Sequence, residues 1–306
     1  MGVSNSRTAM SRRTALLTGA AAIGVGALAQ AADTTAKKTP PVPPADWKIT
    51  SGRIQQSVVP WCFKPMKAED LARSAAGMGL RSVELIGPEE WPMLKKLGLT
   101  CAIASSHGFA RGWNHKENWD FCREKITKSV EAASEFGCQN VITFSGMIGE
   151  LDEDEGKRNT IAGLKSVIGL AEKHKVNLAI EMLNTRVDVE MKGHPGYQCN
   201  SIEWAAEVCD AVGSDRMKIL FDIYHVQIMQ GDVITRIRKY KDYISHYHTA
   251  GVPGRNELDD TQEVNYPAIM QAILDTGYEG YVGQEFIPTW DDKVAALRHA
   301  AKLCDV

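Results

Sequence analysis

The sequence has no CxxC cysteine pair, no run of basic residues, no internal repeat and no phosphate-cradling loop of the GxGxxG or GxxxxGK type. Each absence removes a class of function. Without a basic run, and with 35 Lys and Arg against 38 Asp and Glu, nucleic-acid binding has no electrostatic footprint. Without a glycine-rich phosphate loop, a doubly wound nucleotide-binding sheet lacks its signature. The seven cysteines, at 62, 101, 122, 138, 199, 209 and 304, are scattered and odd in number, so at least one thiol stays unpaired within a monomer. No disulfide framework is expected, and Cys62 and Cys101, in apolar strand-like runs, read as buried reduced thiols.

No apolar stretch is long enough for a comfortable membrane span. The nearest, reaching about Leu28, follows Ser11-Arg12-Arg13-Thr14-Ala15-Leu16-Leu17 and ends in small-x-small sites at Ala27-Leu28-Ala29 and Ala29-Gln30-Ala31. It resembles a twin-arginine signal, which implies export by the Tat machinery to the periplasm and no stable membrane anchor after processing. Residues 1–31 are assigned to this signal and 32–46, with Pro40, Pro41, Pro43 and Pro44, to an extended linker. Loss of 1–31 removes Arg7, Arg12 and Arg13 and no acid, taking the formal charge from −3 to −6.

From about Trp47 onward, β-rich runs alternate with longer amphipathic stretches. Strands are expected at 53–61, 82–86, 100–106, 140–145, 177–183, 217–223, 244–250 and 281–286. Helices are expected at 117–137, 157–175, 201–212, 232–242 and 265–276, several ending at a glycine such as Gly79, Gly137 or Gly277. Eight strands separated by helices over residues 47–306 predict one α/β domain, a single (β/α)₈ TIM barrel.

Four successive runs in the second half each end on a metal-ligating side chain: NLAIEM on Glu181, MKILFDIYH on Asp222, ISHYHTA on His248 and YVGQEF on Glu285. Their spacings of 41, 26 and 37 residues are one βα unit each, which places all four at the rim where barrel strands end. Three carboxylates and one imidazole suit one divalent ion per subunit, with Mn²⁺ foremost and Mg²⁺, Co²⁺ or Zn²⁺ as alternatives. Such an ion chelating a carbonyl and a neighbouring hydroxyl would stabilise an enediolate. Two glutamates across it could then move protons beside the carbonyl.

The runs FDIYHVQIMQGD (221–232), HYHTAGVPGRNE (246–257), EVNYPAI (263–269) and GQEFIP (283–288) resemble the hydroxypyruvate isomerase family. That family belongs to the xylose isomerase-like barrels, together with the ketose 3-epimerases. The resemblance implies that Glu181, Asp222, His248 and Glu285 hold the metal and that Glu181 and Glu285 also serve as the catalytic acid/base pair. It implies substrate contacts from His225 and Arg255, and less distinctively from His107 and Glu84. Hydroxypyruvate isomerases often carry glutamine where this chain has His248, a departure toward the epimerase branch.

His115 reads as a solvated loop residue, and the acidic run Glu150 to Glu155 as the charged start of a helix. His194 and Tyr197 follow the fifth strand and could cap the pocket, and Trp61, Trp91 and Trp113 could pack on a sugar ring or in the core. The expected function is a metal-dependent isomerase or epimerase of a carbohydrate or hydroxy-keto acid. A lyase or hydratase acting on 3-keto glycosides and a non-catalytic carbohydrate-binding protein are the alternatives. Homo-oligomers are common in the family, but no interface signature is visible here.

Overall fold

Short parallel strands and longer helices alternate through the computed structural model, which describes residues 42–306. The expected signal at 1–31 and residues 32–41 of the linker lie outside the described residues. The order is β1 (Gln55–Val58), α1 (Ala68–Met78), β2 (Ser82–Val83), α2 (Trp91–Lys96), β3 (Ile103–Ala104), α3 (Trp119–Phe136) and β4 (Asn140–Thr143). There follow α4 (Glu153–Lys165), α5 (Ile168–His174), β5 (Asn177–Glu181), α6 (Ile202–Val212), β6 (Met217–Asp222), α7 (Ile223–Met229) and α8 (Val233–Tyr240). The chain closes with β7 (Ile244–Thr249), α9 (Tyr266–Asp275), β8 (Tyr281–Gln284) and α10 (Lys293–Leu303).

The sheet runs β2-β1-β8-β7-β6-β5-β4-β3 with every pairing parallel. Its two outer strands also meet. Val83 donates to the Thr100 carbonyl and Leu85 to that of Ile103, each at 3.1 Å, so the eight strands close into a barrel. Closure leaves no open edge to solvate, and the strand residues are correspondingly buried almost throughout. The buried apolar side chains of strands and helices form one continuous core.

The helix ends follow local chemistry. Gly79 and Gly137 cap α1 and α3 at φ of 93° and 89°, where a Cβ would be strained. Asp152, inside the acidic run, accepts from Glu155 N and starts α4.

Two elements differ from expectation. The helix expected at 157–175 breaks at Ser166 and Val167, because the Ser166 hydroxyl bonds the Gly163 carbonyl and the β-branched Val167 leaves helical geometry at φ −124°. Helix α7 starts directly from β6, since the Asp222 carboxylate accepts from Tyr224 N and His225 N and caps the turn. No helix among the described residues is long and apolar enough to cross a membrane.

Candidate active site

Glu181 ends β5, Asp222 ends β6, His248 lies one residue before the end of β7, and Glu285 follows β8. Neighbouring strands in register bring these ends together. Each of the four residues offers one ligand atom, and all four atoms lie within 4.8 Å of one another. All four residues are buried.

Burial and charge act against each other on these carboxylates. Burial raises Glu181, and it pushes Asp222 up to about 7 against the pull of Arg255. Burial acts the same way on Glu285, but His248 and Arg255 outweigh it and hold that carboxyl well below the usual range. Arg255 reaches in from the loop after β7, placing a guanidinium nitrogen 2.6 Å from Glu285 Oε2 and 3.3 Å from Asp222 Oδ2.

His248 directs Nδ1 at the carboxylates, 2.9 Å from Glu285 Oε2 and 3.7 Å from Glu181 Oε1. That buried nitrogen makes no aligned hydrogen bond. Three converging carboxylates and an imidazole nitrogen turned toward them are a donor set that fits a hard or borderline divalent ion.

Around the cluster, Trp61 donates from Nε1 to Glu285 Oε1 at 3.2 Å. This indole therefore serves the site through its polar edge. His225 is fully buried with Nε2 3.5 Å from Asp222 Oδ2. Its Nδ1 faces the Asn184 backbone N–H at 3.1 Å and the Asn184 side-chain amide at 2.7 Å. The Asn184 amide is oriented by donating to Lys192 O and accepting from Val187 N, so its NH₂ faces the imidazole. His225 Nδ1 is therefore an acceptor and the ring proton sits on Nε2, the side facing the cluster. Burial keeps this imidazole neutral, its pKa well below the usual value.

A cavity of about 110 Å³ opens above Glu181 and Glu285, walled by Trp61, Phe109, Phe144 and Leu183, with His194 and Arg255 at its polar side. His194 thus reaches the pocket, its ring tilted against Phe109 with centroids 4.2 Å apart. Tyr197 does not; it is buried, donating to the Glu181 carbonyl and accepting from Ser145 N. Trp91 and Trp113 are core residues, and His115 is a partly exposed loop residue bonding the Met147 carbonyl.

Two residues expected to face substrate stand behind the pocket instead. His107 bonds the Arg111 carbonyl and the Thr143 hydroxyl and packs its ring edge on Phe144, away from the cavity. Glu84 is fully buried, with Oε1 2.9 Å from His246 Nε2 and 2.8 Å from His248 Nε2. Neither residue lines the cavity. Burial would raise the Glu84 carboxyl, yet the two histidines bring it to about 2.

Asn184, His246 and Gly283 were not singled out in the sequence. The i, i+2 spacing of His246 and His248, which puts both on one face of a strand, was the available signal.

Comparison with known proteins agrees with this architecture. The 2-oxo-tetronate isomerase of Cupriavidus necator is 29% identical over 235 residues, 72% of this chain and 86% of that protein. A human protein provisionally named hydroxypyruvate isomerase is 29% identical over 229 residues, 73% of this chain and 76% of its own. Among solved structures, a family 2 AP endonuclease from Brucella melitensis superposes with a TM-score of 0.68 at 25% identity, covering 78% of this chain and 95% of that one. Ketose 3-epimerases share the fold at lower identity. The model of the xylose isomerase-like TIM barrel matches residues 74–304, which takes in every strand-end residue of the cluster, and the chain belongs to that family.

Proposed function

We propose that this protein is a divalent-metal-dependent isomerase or epimerase of a small sugar or hydroxy-keto acid, with Glu181 and Glu285 as the acid/base pair. The observation that carries the reading is the meeting of Glu181, Asp222, His248 and Glu285 within 4.8 Å at the ends of four successive strands. Relatives named for 2-oxo-tetronate and hydroxypyruvate isomerisation support the substrate class. Endonuclease activity, for which one structural neighbour is named, is not proposed here, since the chain has no basic run to hold a phosphate backbone.

The four residues would hold the ion, foremost Mn²⁺, which supplies Lewis acidity toward a carbonyl and its neighbouring oxygen. Glu181 and Glu285 flank the same small volume, so one can take a proton from the carbon beside the carbonyl while the other returns one. Return to the same carbon epimerises; return to the neighbouring carbon isomerises. His225 presents a neutral Nε2–H donor to a substrate oxygen. Arg255 sets a fixed positive charge against Glu285 and, at the cavity wall, against a substrate carboxylate or hydroxyl. Trp61 and the aromatic wall exclude water from the reacting carbons. Residues Ser11 to Leu17 support export through the twin-arginine route, which would place this chemistry in the periplasm.

The test is solvent deuterium incorporation into hydroxypyruvate, 2-oxo-tetronate and ketohexoses by Mn²⁺-loaded protein. Exchange at the carbon beside the carbonyl is expected. Release of an aglycone from a 3-keto glycoside without exchange into these substrates would favour the lyase. Sugar binding with no turnover would favour the binding protein. Glu181→Gln should lower kcat by about 10² to 10⁴ while leaving binding largely intact. An unchanged rate in that variant would refute its role.

A further inference from the structure

We propose that Glu84 is the positioning residue that fixes the tautomer of His248, and that the absence of a side chain at Gly283 is what admits its carboxylate. The inference rests on the metal-site reading above.

Glu84 follows β2 and spans the barrel interior to β7, two strands beyond its neighbour in the sheet. Its Oε1 receives His246 Nε2 and His248 Nε2 together, at 2.9 and 2.8 Å, and all three side chains are completely buried. An ionised carboxylate only accepts, so each imidazole must carry its proton on Nε2. Nε2 of His248 is thereby committed to Glu84, and Nδ1 is the ring nitrogen left to face a cation held between Glu181 and Glu285. A Nδ1–H tautomer would instead present a proton where a ligand atom is needed. The negative charge behind the ring also makes Nδ1 a better donor to a cation.

Gly283 provides the independent observation. It lies on β8, paired with Ser57 on one side and His248 on the other. Its φ is not in the positive range, so its backbone would accept any residue. Space is the constraint: a Cβ built there collides with Glu84 Oε1 and comes to 3.0 Å from His248 Cδ2. The glycine makes room for one carboxylate beside one imidazole. Glu84, His246 and His248 could themselves be taken as three ligands of a second ion. Both imidazoles, however, converge on a single oxygen at hydrogen-bond length, which is the geometry of donors to an acceptor.

Mn²⁺ titration of the full chain after chelator treatment, read by calorimetry and by the electron paramagnetic resonance of free Mn²⁺, tests this. Wild type should bind one ion. Glu84→Gln should weaken Kd by about 10- to 100-fold, and Gly283→Ala should weaken it in the same direction, with metal-free circular dichroism unchanged in both. Nitrogen-15 spectra of histidine-labelled wild type in saturating Mg²⁺ should show His248 protonated on Nε2, a readout that needs no variant to fold. Affinities within about two-fold of wild type in both variants, binding of two ions, or a Nδ1–H His248 would overturn the proposal. Failure of the wild type to bind Mn²⁺ at all would instead bring down the metal-enzyme reading.

Discussion

At the scale of single residues, orientation matters as much as identity. Asn184 contributes no charge and no ligand atom, yet its two N–H groups decide which nitrogen of His225 carries the proton. Its amide also ties Lys192 O and Val187 N in the loop that carries His194 to the pocket. Asn184→Ala should therefore cost about 1–3 kcal/mol in urea unfolding, because buried partners lose their hydrogen bonds. It should also lower kcat by a few-fold, because only the longer backbone N–H bond at residue 184 is left to hold the His225 tautomer. A variant as stable as wild type with full kcat would show that the side-chain amide is not needed to set the His225 tautomer. The four ligands were legible in the sequence because each terminates a strand-like run, and strand ends share a rim. Asn184, His246 and Gly283 were not, because their roles depend on partners 41, 162 and 199 residues away in the chain, respectively His225 and, for both of the others, Glu84.

Elements of secondary structure were legible where periodicity and end signals agree. Every expected strand window contains an observed strand, and α3, α6, α8 and α9 fall where the amphipathic pattern put them. The pattern was silent where a side chain overrides it. Asp222 belongs to β6 by alternation, but its carboxylate also nucleates α7, so one residue ends a strand, caps a helix and enters the cluster. Asp152 plays the capping role alone and at the surface. Asp152→Ala should thus destabilise the fold by about 1 kcal/mol with kcat and KM unchanged, a separation that Asp222 substitutions cannot achieve. Matched unfolding curves for Asp152→Ala and wild type would mean that the acidic first turn, Glu153 to Glu155, suffices to hold the helix start.

For the whole molecule, the ion and the chain's two described ends act on global stability in separable ways. Removal of a native-state ligand at 100 times its Kd should lower stability by about 2.7 kcal/mol, read as a fall in Tm on chelation; no fall under conditions that strip the ion would count against a site coupled to folding. At the opposite end of the barrel, Asp305 near the C-terminus accepts from Thr50 N, Ser51 N and Gly52 N and from the Thr50 hydroxyl, clamping the segment that leads into β1. Partial burial would raise its pKa, but these donors lower it below the ordinary 3.8. A carboxyl depressed in the folded state stabilises fully above its unfolded pKa, and that contribution disappears as pH falls through the folded value. Asp305→Asn keeps an acceptor oxygen but not the charge. It should cost about 1 kcal/mol at pH 7, a modest figure because the group is largely exposed to screening. Below the ordinary 3.8 the difference from wild type should shrink toward zero. Urea unfolding of both proteins at neutral and acid pH measures this directly, and a gap that stays constant across the range would mean that the clamp works through shape and not through charge.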